Sequence, residues 1–287
     1  MIHPATLLHQ LEAHARRRFG QHFLASPAAV ERIVALAGIG PGSRVLEIGP
    51  GLGVLTEALL EAGASVVAVE IDRDLAHALG ERLHEAVSRG ALRVVTADAL
   101  AVDLAELLPG SGWICAANLP YNVGTRILVR LVDMPGTFSR LVLMLQQEVV
   151  GRVVAPVGAR DRGSLSVFAQ SRAEARVGLR LPPGAFHPPP RVDSAVVVLE
   201  LRPAPATGGA PVVDFDALVR AVFAAPRKTL RRVLVDRYGA APVEAALAAA
   251  GVEPSLRPAL LDAPTLGRLA LALRAAGAFG PAEGGTP

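Results

Sequence analysis

The 287-residue sequence predicts an α/β fold: a doubly wound sheet with helices on both faces, then a small all-helical C-terminal domain. Two observations carry this. Between Arg44 and Leu201, short runs rich in Val, Leu and Ile alternate with stretches of helical periodicity, the pattern of parallel βαβ units. After residue 202 the strand-like runs stop and only helical patterns follow. A hydrophobic content of 51% with 19% charged residues supplies enough apolar surface for such cores.

The elements follow in order. Residues 1–40 form an N-terminal segment with a basic cluster (Arg16, Arg17, Arg18), the stretch "FGQHFLASP" and a helical "AAVERIVALAG". Residues 41–202 form the sheet domain. There "RVLEIG" reads as a strand, "PGLGVLTEALLEAG" as a loop and helix, "SVVAVE" as a strand and "DRDLAHALGERLHEAV" as a helix. "LRVVTAD" and "WICAAN" are strands separated by a short helix, "LAELL". "RLVLMLQ", "LSVFAQS" and "SAVVVLEL" read as three more strands. The Pro/Gly/Ala-rich stretch "RPAPATGGAPVVD" marks a linker, assigned to 203–213. Residues 214–279 are expected to form the helical domain, and "GPAEGGTP" (280–287) a disordered tail.

Composition narrows the function classes. No run of about 18 uncharged apolar residues exists, so no membrane span is expected. The N-terminus lacks the apolar h-region of a signal peptide, and the single cysteine, Cys115, suits a reducing cytoplasm. Cys115 reads as a small buried strand residue. Lys228 is the only lysine among 29 basic residues, so the chain relies on Arg, which suits bidentate phosphate contacts. A GC-rich genome explains the same bias.

"EIGPGLG" places Gly49, Gly51 and Gly53 between the first strand and its helix, where a ligand can approach the backbone closely. The spacing is not that of dinucleotide-binding loops. Glu47 just before it would repel a pyrophosphate and suit an ammonium or sulfonium. Glu70 ends the second strand, about 20 residues downstream, where a carboxylate can hold ribose hydroxyls. Asp98 ends the third strand, where it can accept from an adenine amine. A positively charged nucleoside without phosphates fits this set, which points to S-adenosylmethionine.

"NLPYN" (118–122) ends the fourth strand, beside the first. An adenine N6 amine is a poor nucleophile because its lone pair is delocalised into the ring. Two acceptors on its N–H groups favour a pyramidal nitrogen, and the Asn118 side-chain oxygen and Leu119 carbonyl are such acceptors. Pro120 keeps Leu119 out of the helical region, so that its carbonyl points outward. Tyr121 offers a flat face to a base taken out of its stack. "RKTLRR" places Arg227, Lys228, Arg231 and Arg232 on one basic helical face, a candidate RNA contact. His187 has no His or Cys at metal-ligand spacing, so no metal is expected.

"RFGQHFL", "EIGPGLG", "NLPYN", "LMLQQEVVGR" and "AFHPPPRVDSAVV" together resemble the ribosomal RNA adenine N6-dimethyltransferases of the small subunit, from about Arg18 to "RKTLRR". The resemblance implies a Rossmann-like class I methyltransferase sheet and two adjacent N6,N6-dimethyladenosines near the 3′ end of 16S rRNA. The implied setting is a cytoplasmic monomer acting on a small-subunit precursor particle in ribosome biogenesis. It assigns His22, Leu24, Gly49, Glu70, Asp98 and Asn118 to the cofactor site, which the N-terminal segment completes, and adds Phe186 to Tyr121 at the target base. His22 stands where many members carry Asn, and Gln147 where many carry Lys. Asp193 and the longer helical C-terminal part weigh against the large-subunit enzymes of macrolide resistance. The intact tetrad weighs against a non-catalytic RNA-binding factor, and the loop spacing against a dehydrogenase.

Overall fold

The computed structural model describes residues 22–279 and, isolated from them, Thr6. The Arg16, Arg17 and Arg18 cluster and the 280–287 tail lie outside the described residues. The chain divides into two compact units. One holds Ala173–Pro203 and the chain up to Gly151; the other holds Arg152–Arg172 and the chain from Ala204.

The first unit is built on a seven-stranded sheet. Its strands are β2 (Arg44–Ile48), β3 (Ser65–Glu70), β4 (Leu92–Thr96), β5 (Trp113–Asn118), β6 (Phe138–Gln146), β7 (Ala173–Leu181) and β9 (Ser194–Leu201). They lie in the order β4-β3-β2-β5-β6-β9-β7. β2 to β6 are parallel, joined by crossovers that carry α2 (Val54–Glu61), α3 (Arg73–Arg82), α4 (His84–Ser88), α5 (Leu104–Leu107) and α6 (Gly124–Val132). β9 runs antiparallel to both β6 and β7, so the sheet is mixed. Residues 182–193 join β7 to β9 without an α-helix, and strands joined without a long crossover pair antiparallel. A second ladder pairs β1 (Phe23–Leu24) with β8 (Phe186–His187). α1 (Pro27–Ala37) is capped by Ser26, which accepts from the Ala29 amide, and ends at Gly38 in the left-handed region.

Three local readings differ from the sequence expectation. "LSVFAQS" is not a strand; it lies in α8 (Ser164–Arg172), the helix after α7 (Gln147–Val153). Ser166, Ser171 and Arg172 of that helix are buried with Leu165, Val167 and Ala169, so it shows neither an amphipathic stripe nor alternation. "AEARVGLRL", expected to be no element, is the edge strand β7, half-exposed and paired only with β9. The helix expected over "DRDLAHALGERLHEAV" breaks at Leu83, whose φ −106° and ψ 30° leave the helical region.

The second unit packs α8 with α9 (Val212–Phe223), α10 (Leu230–Tyr238), α11 (Ala240–Ala250) and α12 (Ala263–Ala275). Its core is Val167, Phe215, Leu218, Leu230, Leu234, Val243, Leu247, Leu266, Leu269 and Leu273, all buried. Two ion pairs tie α9 to its neighbours: Arg172 with Asp216 at 2.8 Å, and Arg274 with Asp214. Residues 152–172, expected with the sheet domain, group with these helices instead. The stretch expected as a linker packs here too. Thr207 is buried, its hydroxyl donates to the Ala210 carbonyl at 2.6 Å, and a Cβ on Gly267 would overlap the Thr207 carbonyl.

The strand order reverses between β2 and β5, so the loops leaving their carboxyl ends depart to opposite sides and open a crevice. No described helix is long and apolar enough to cross a membrane.

Candidate active site

The crevice is lined by three strand ends. β2 is buried from Val45 onward, apolar except for Glu47, and delivers Gly49 and Gly51, at φ 67° and 55°, into the turn before α2. A side chain at Gly51 is excluded twice. The left-handed backbone strains an L-residue, and a Cβ would lie 2.9 Å from the Phe23 ring.

β3 ends at Glu70, only 4% exposed. Its Oε2 accepts from the Gly51 amide at 3.0 Å and its Oε1 from the Asp72 amide at 2.9 Å. Burial pushes this carboxyl up, and the amides of Asp72 and Gly51 pull it part of the way back. Each carboxylate oxygen has a second acceptor position, so Glu70 braces the glycine turn and can still accept from a ligand's hydroxyls. In the loop after β4, exposed Asp98 accepts from the Leu100 amide through Oδ1 at 2.8 Å.

β5 ends at Asn118. Its Nδ2 donates to the His22 carbonyl at 2.8 Å, which fixes the orientation of the amide. Among the described residues neither Asn118 Oδ1 nor the Leu119 carbonyl accepts a hydrogen bond, whereas the Pro120 carbonyl accepts from Val123 and Gly124. Tyr121 is half-buried, with its Oη 2.5 Å from Ser194 Oγ and its ring centroid 5.4 Å from that of His22. His22 is held by Nδ1 against the Pro188 carbonyl at 2.9 Å.

These groups meet around one cavity of about 200 Å³, lined by His22, Gly49, Gly51, Glu70, Asp98 and the Asn118–Tyr121 tetrad. Leu24 and Phe186 are not on its wall. They face each other in the β1–β8 ladder, buried in the core, and Leu24 borders a smaller cavity of about 30 Å³ with Glu47, Gly49 and Asn118. Ile71 and Arg126 are among the lining residues that escaped the sequence reading. Ile71 is 46% exposed, a large apolar side chain at the rim. Its only signal was its place directly after Glu70. Arg126, on the first turn of α6, is exposed and has no carboxylate partner among the described residues. One more Arg in an Arg-rich chain carried no signal.

Glu47 departs from expectation. It is 2% exposed, the Thr56 hydroxyl donates to it at 2.6 Å, and burial, with Glu70 nearby, pushes its pKa to about 8. At neutral pH it is mostly uncharged, so it is not the open anion that would repel a pyrophosphate. Cys115 is fully buried beside it, and burial pushes the thiol up, away from reactivity.

The basic face is not one helical face. Thr229 caps α10 by accepting from the Arg232 amide, so Arg227 and Lys228 precede the helix. Lys228 and Arg232 lie 3.6 and 3.5 Å from Asp236, and Arg231 lies 2.5 Å from Glu244. Arg227 has no carboxylate partner among the described residues.

Residues 12–257 match the ribosomal RNA adenine dimethylase family. The chain is 42% identical over 256 residues to the ribosomal RNA small subunit methyltransferase A of Syntrophotalea carbinolica, covering 89% of this chain and 95% of that one. It is 45% identical over 230 residues to the protein of the same name from Magnetococcus marinus, covering 79% and 81%. The 23S rRNA methyltransferase ErmE superposes with a TM-score of 0.66 at 28% identity, over 88% of this chain and 99% of that one. A dimethyladenosine transferase of Plasmodium falciparum shares the fold, with a TM-score of 0.74 at 24% identity, over 89% and 98%.

Proposed function

From the premise that the chain belongs to the ribosomal RNA adenine dimethylase family, we propose that its cavity dimethylates the N6 amines of two adjacent adenosines near the 3′ end of 16S rRNA. The methyl donor is S-adenosylmethionine, which when bound supplies an electrophilic methyl group on a sulfonium.

The residues present fit that donor. Glu70 keeps lone pairs for ribose hydroxyls, Asp98 keeps one oxygen for an adenine amine, and Gly51 presents bare backbone to the cavity, with no side chain to collide with Phe23. His22 and Gly49 complete the wall. Leu24 contributes from the smaller cavity next to Asn118, toward the methionine end.

The observation that carries the reading is the pair of acceptors at the β5 end, which take no hydrogen bond from the described residues. The Asn118 NH₂ donates to the His22 carbonyl, so the amide oxygen stays available as an acceptor. An amine that donates to both is drawn toward a pyramidal nitrogen whose lone pair is free of the ring. That interaction strengthens as the transition state forms. The methylated nitrogen, made strongly acidic by its positive charge, gives its proton to solvent water, with the two oxygens as hydrogen-bond acceptors and not as bases, so no Cys–His or Ser–His couple is needed. Tyr121 supplies the stacking face. Phe186 acts from the core, as support for the β1–β8 ladder that follows His22.

The RNA is held by phosphate contacts from Arg126 at the rim and from Arg227, Lys228, Arg231 and Arg232. The precursor of the small subunit is the particle recognised, the enzyme acts as a monomer, and its compartment is the cytoplasm, where that particle is assembled. The test is mass spectrometry of small-subunit rRNA from cells lacking the gene. Loss of two adjacent dimethyladenosines, restored by the wild-type gene and not by an Asn118→Ala copy, is the expected result. Intact dimethylation would refute the assignment.

A further inference from the structure

The Asn118 acceptor scheme does not use the Tyr121 hydroxyl, yet that hydroxyl is bonded to the wall of the sheet. Its Oη lies 2.5 Å from Ser194 Oγ. Ser194 is 0% exposed and opens β9, where its register partners are Gln146 in β6 and Leu181 in β7. Three strands therefore fix the atom to which the phenol is tied. The His22 ring lies at 5.4 Å from the tyrosine ring between centroids and 32° between planes, held in turn by the Pro188 carbonyl.

A tyrosine ring has two torsions to fix. The phenol oxygen lies on the χ2 axis, so a bond to it settles where the ring points and leaves its plane free to turn. A neighbouring ring face settles the plane. The two contacts are thus complementary, and neither alone would hold the face steady. Burial raises the Tyr121 pKa, so the phenol stays protonated and keeps its hydrogen bond across neutral pH.

We propose that Ser194 and the His22 ring clamp Tyr121 as a fixed platform for the target adenine, which makes Ser194 a positioning residue for methyl transfer. The proposal rests on the reading that Tyr121 stacks the target base. Holding the platform before the base arrives removes an ordering cost from the reacting complex, so the gain appears in the chemical step more than in particle binding.

The test is single-turnover methylation of small-subunit particles lacking the modification, at saturating cofactor, with cofactor affinity and unfolding midpoint measured in parallel. Ser194→Ala and Tyr121→Phe are each expected to slow the step by roughly fivefold to tenfold, the size of one hydrogen bond. The concentration of particles at half-saturation should stay within about twofold. The double variant should be no slower than either single one, because both remove the same bond. His22→Ala, which keeps the carbonyl that holds Asn118, should multiply with Ser194→Ala, because it frees the other torsion.

Tyr121→Phe at the wild-type rate would overturn the clamp, whereas loss of activity in Tyr121→Ala would leave the stacking reading standing. Tyr121→Ala at the wild-type rate would overturn both. Multiplicative effects of Ser194→Ala and Tyr121→Phe would place the Ser194 effect elsewhere and overturn the clamp. Should buried Ser194→Ala fail to fold, Tyr121→Phe decides the matter alone.

Discussion

The side-chain amide of Asn118 and the backbone carbonyl of His22 lie 2.8 Å apart, across 96 residues of sequence. The contact holds the residue that leads into β1 together with the proposed acceptor of the target amine. An Asn at a strand end otherwise has two amide orientations of similar energy; a carbonyl acceptor leaves one.

Asn118→Ala is therefore expected to lose both the acceptor and its anchor. Removing one well-placed polar partner in the transition state costs about 2.7–4 kcal/mol, or 10²–10³ in rate. The loss should fall on kcat, with particle binding retained through the phosphate contacts. Single-turnover methylation at saturating cofactor measures it; a folded variant within a few-fold of wild type would refute the acceptor role.

Glu70 serves two neighbours through one carboxylate, since it holds the Gly51 and Asp72 amides while facing the cavity. In Glu70→Gln the amide NH₂ must face one of those N–H groups. The expected outcome is S-adenosylmethionine binding weaker by about 1.5–3 kcal/mol, typical of losing hydrogen bonds to a charged group. Titration calorimetry reads this directly, and unchanged affinity would remove Glu70 from the cofactor site.

Much of this was legible in the sequence where one interaction dominated. "WICAAN" and "SAVVVLEL" coincide with β5 and β9 because continuous apolar runs in a buried sheet are decided by burial alone. β7 was not legible. It is an edge strand whose Arg and Glu side chains reach solvent, and its partner β9 lies later in the chain. α8 was misread because a helix buried all round has no periodicity to display. At the site, the strand-end acids and the tetrad stood out as residues that packing does not explain. Their coupling through His22 and Ser194 depends on contacts 96 and 73 residues apart, which no local pattern records.

Glu47 gives the stability a pH dependence of definite sign. Its carboxyl rises from an ordinary 4.5 to about 8 in the fold. Between those values the folded chain holds a proton that the unfolded chain has released, so stability falls as pH rises. Glu70, also raised by burial, acts in the same direction. The Glu47 contribution is on the order of 4–5 kcal/mol, complete below about pH 4.5 and lost by the time pH passes 8. Glu47→Gln mimics the protonated acid. Urea denaturation of both proteins should give matching stabilities near pH 5 and a more stable variant at pH 8.5. Parallel curves would show that Glu47 is ionised in the fold.

The last expectation concerns salt. The four basic residues before and within α10 are not equivalent, because Lys228, Arg231 and Arg232 face Asp236 or Glu244 while Arg227 has no described carboxylate partner. A cation already paired on the protein releases fewer counterions from RNA when it binds, since part of its charge is spent at home. Arg227→Ala should therefore flatten the plot of log affinity against log salt by roughly 0.7–0.9, a full phosphate contact. Arg126→Ala at the cavity rim should do the same. Arg231→Ala should change the slope by well under that amount. Replacing Asp236 by Asn frees Lys228 and Arg232 and should steepen the slope instead. Binding of small-subunit particles across a salt series measures all four variants. Equal slopes for Arg227→Ala and wild type would show that this surface faces solvent and not RNA.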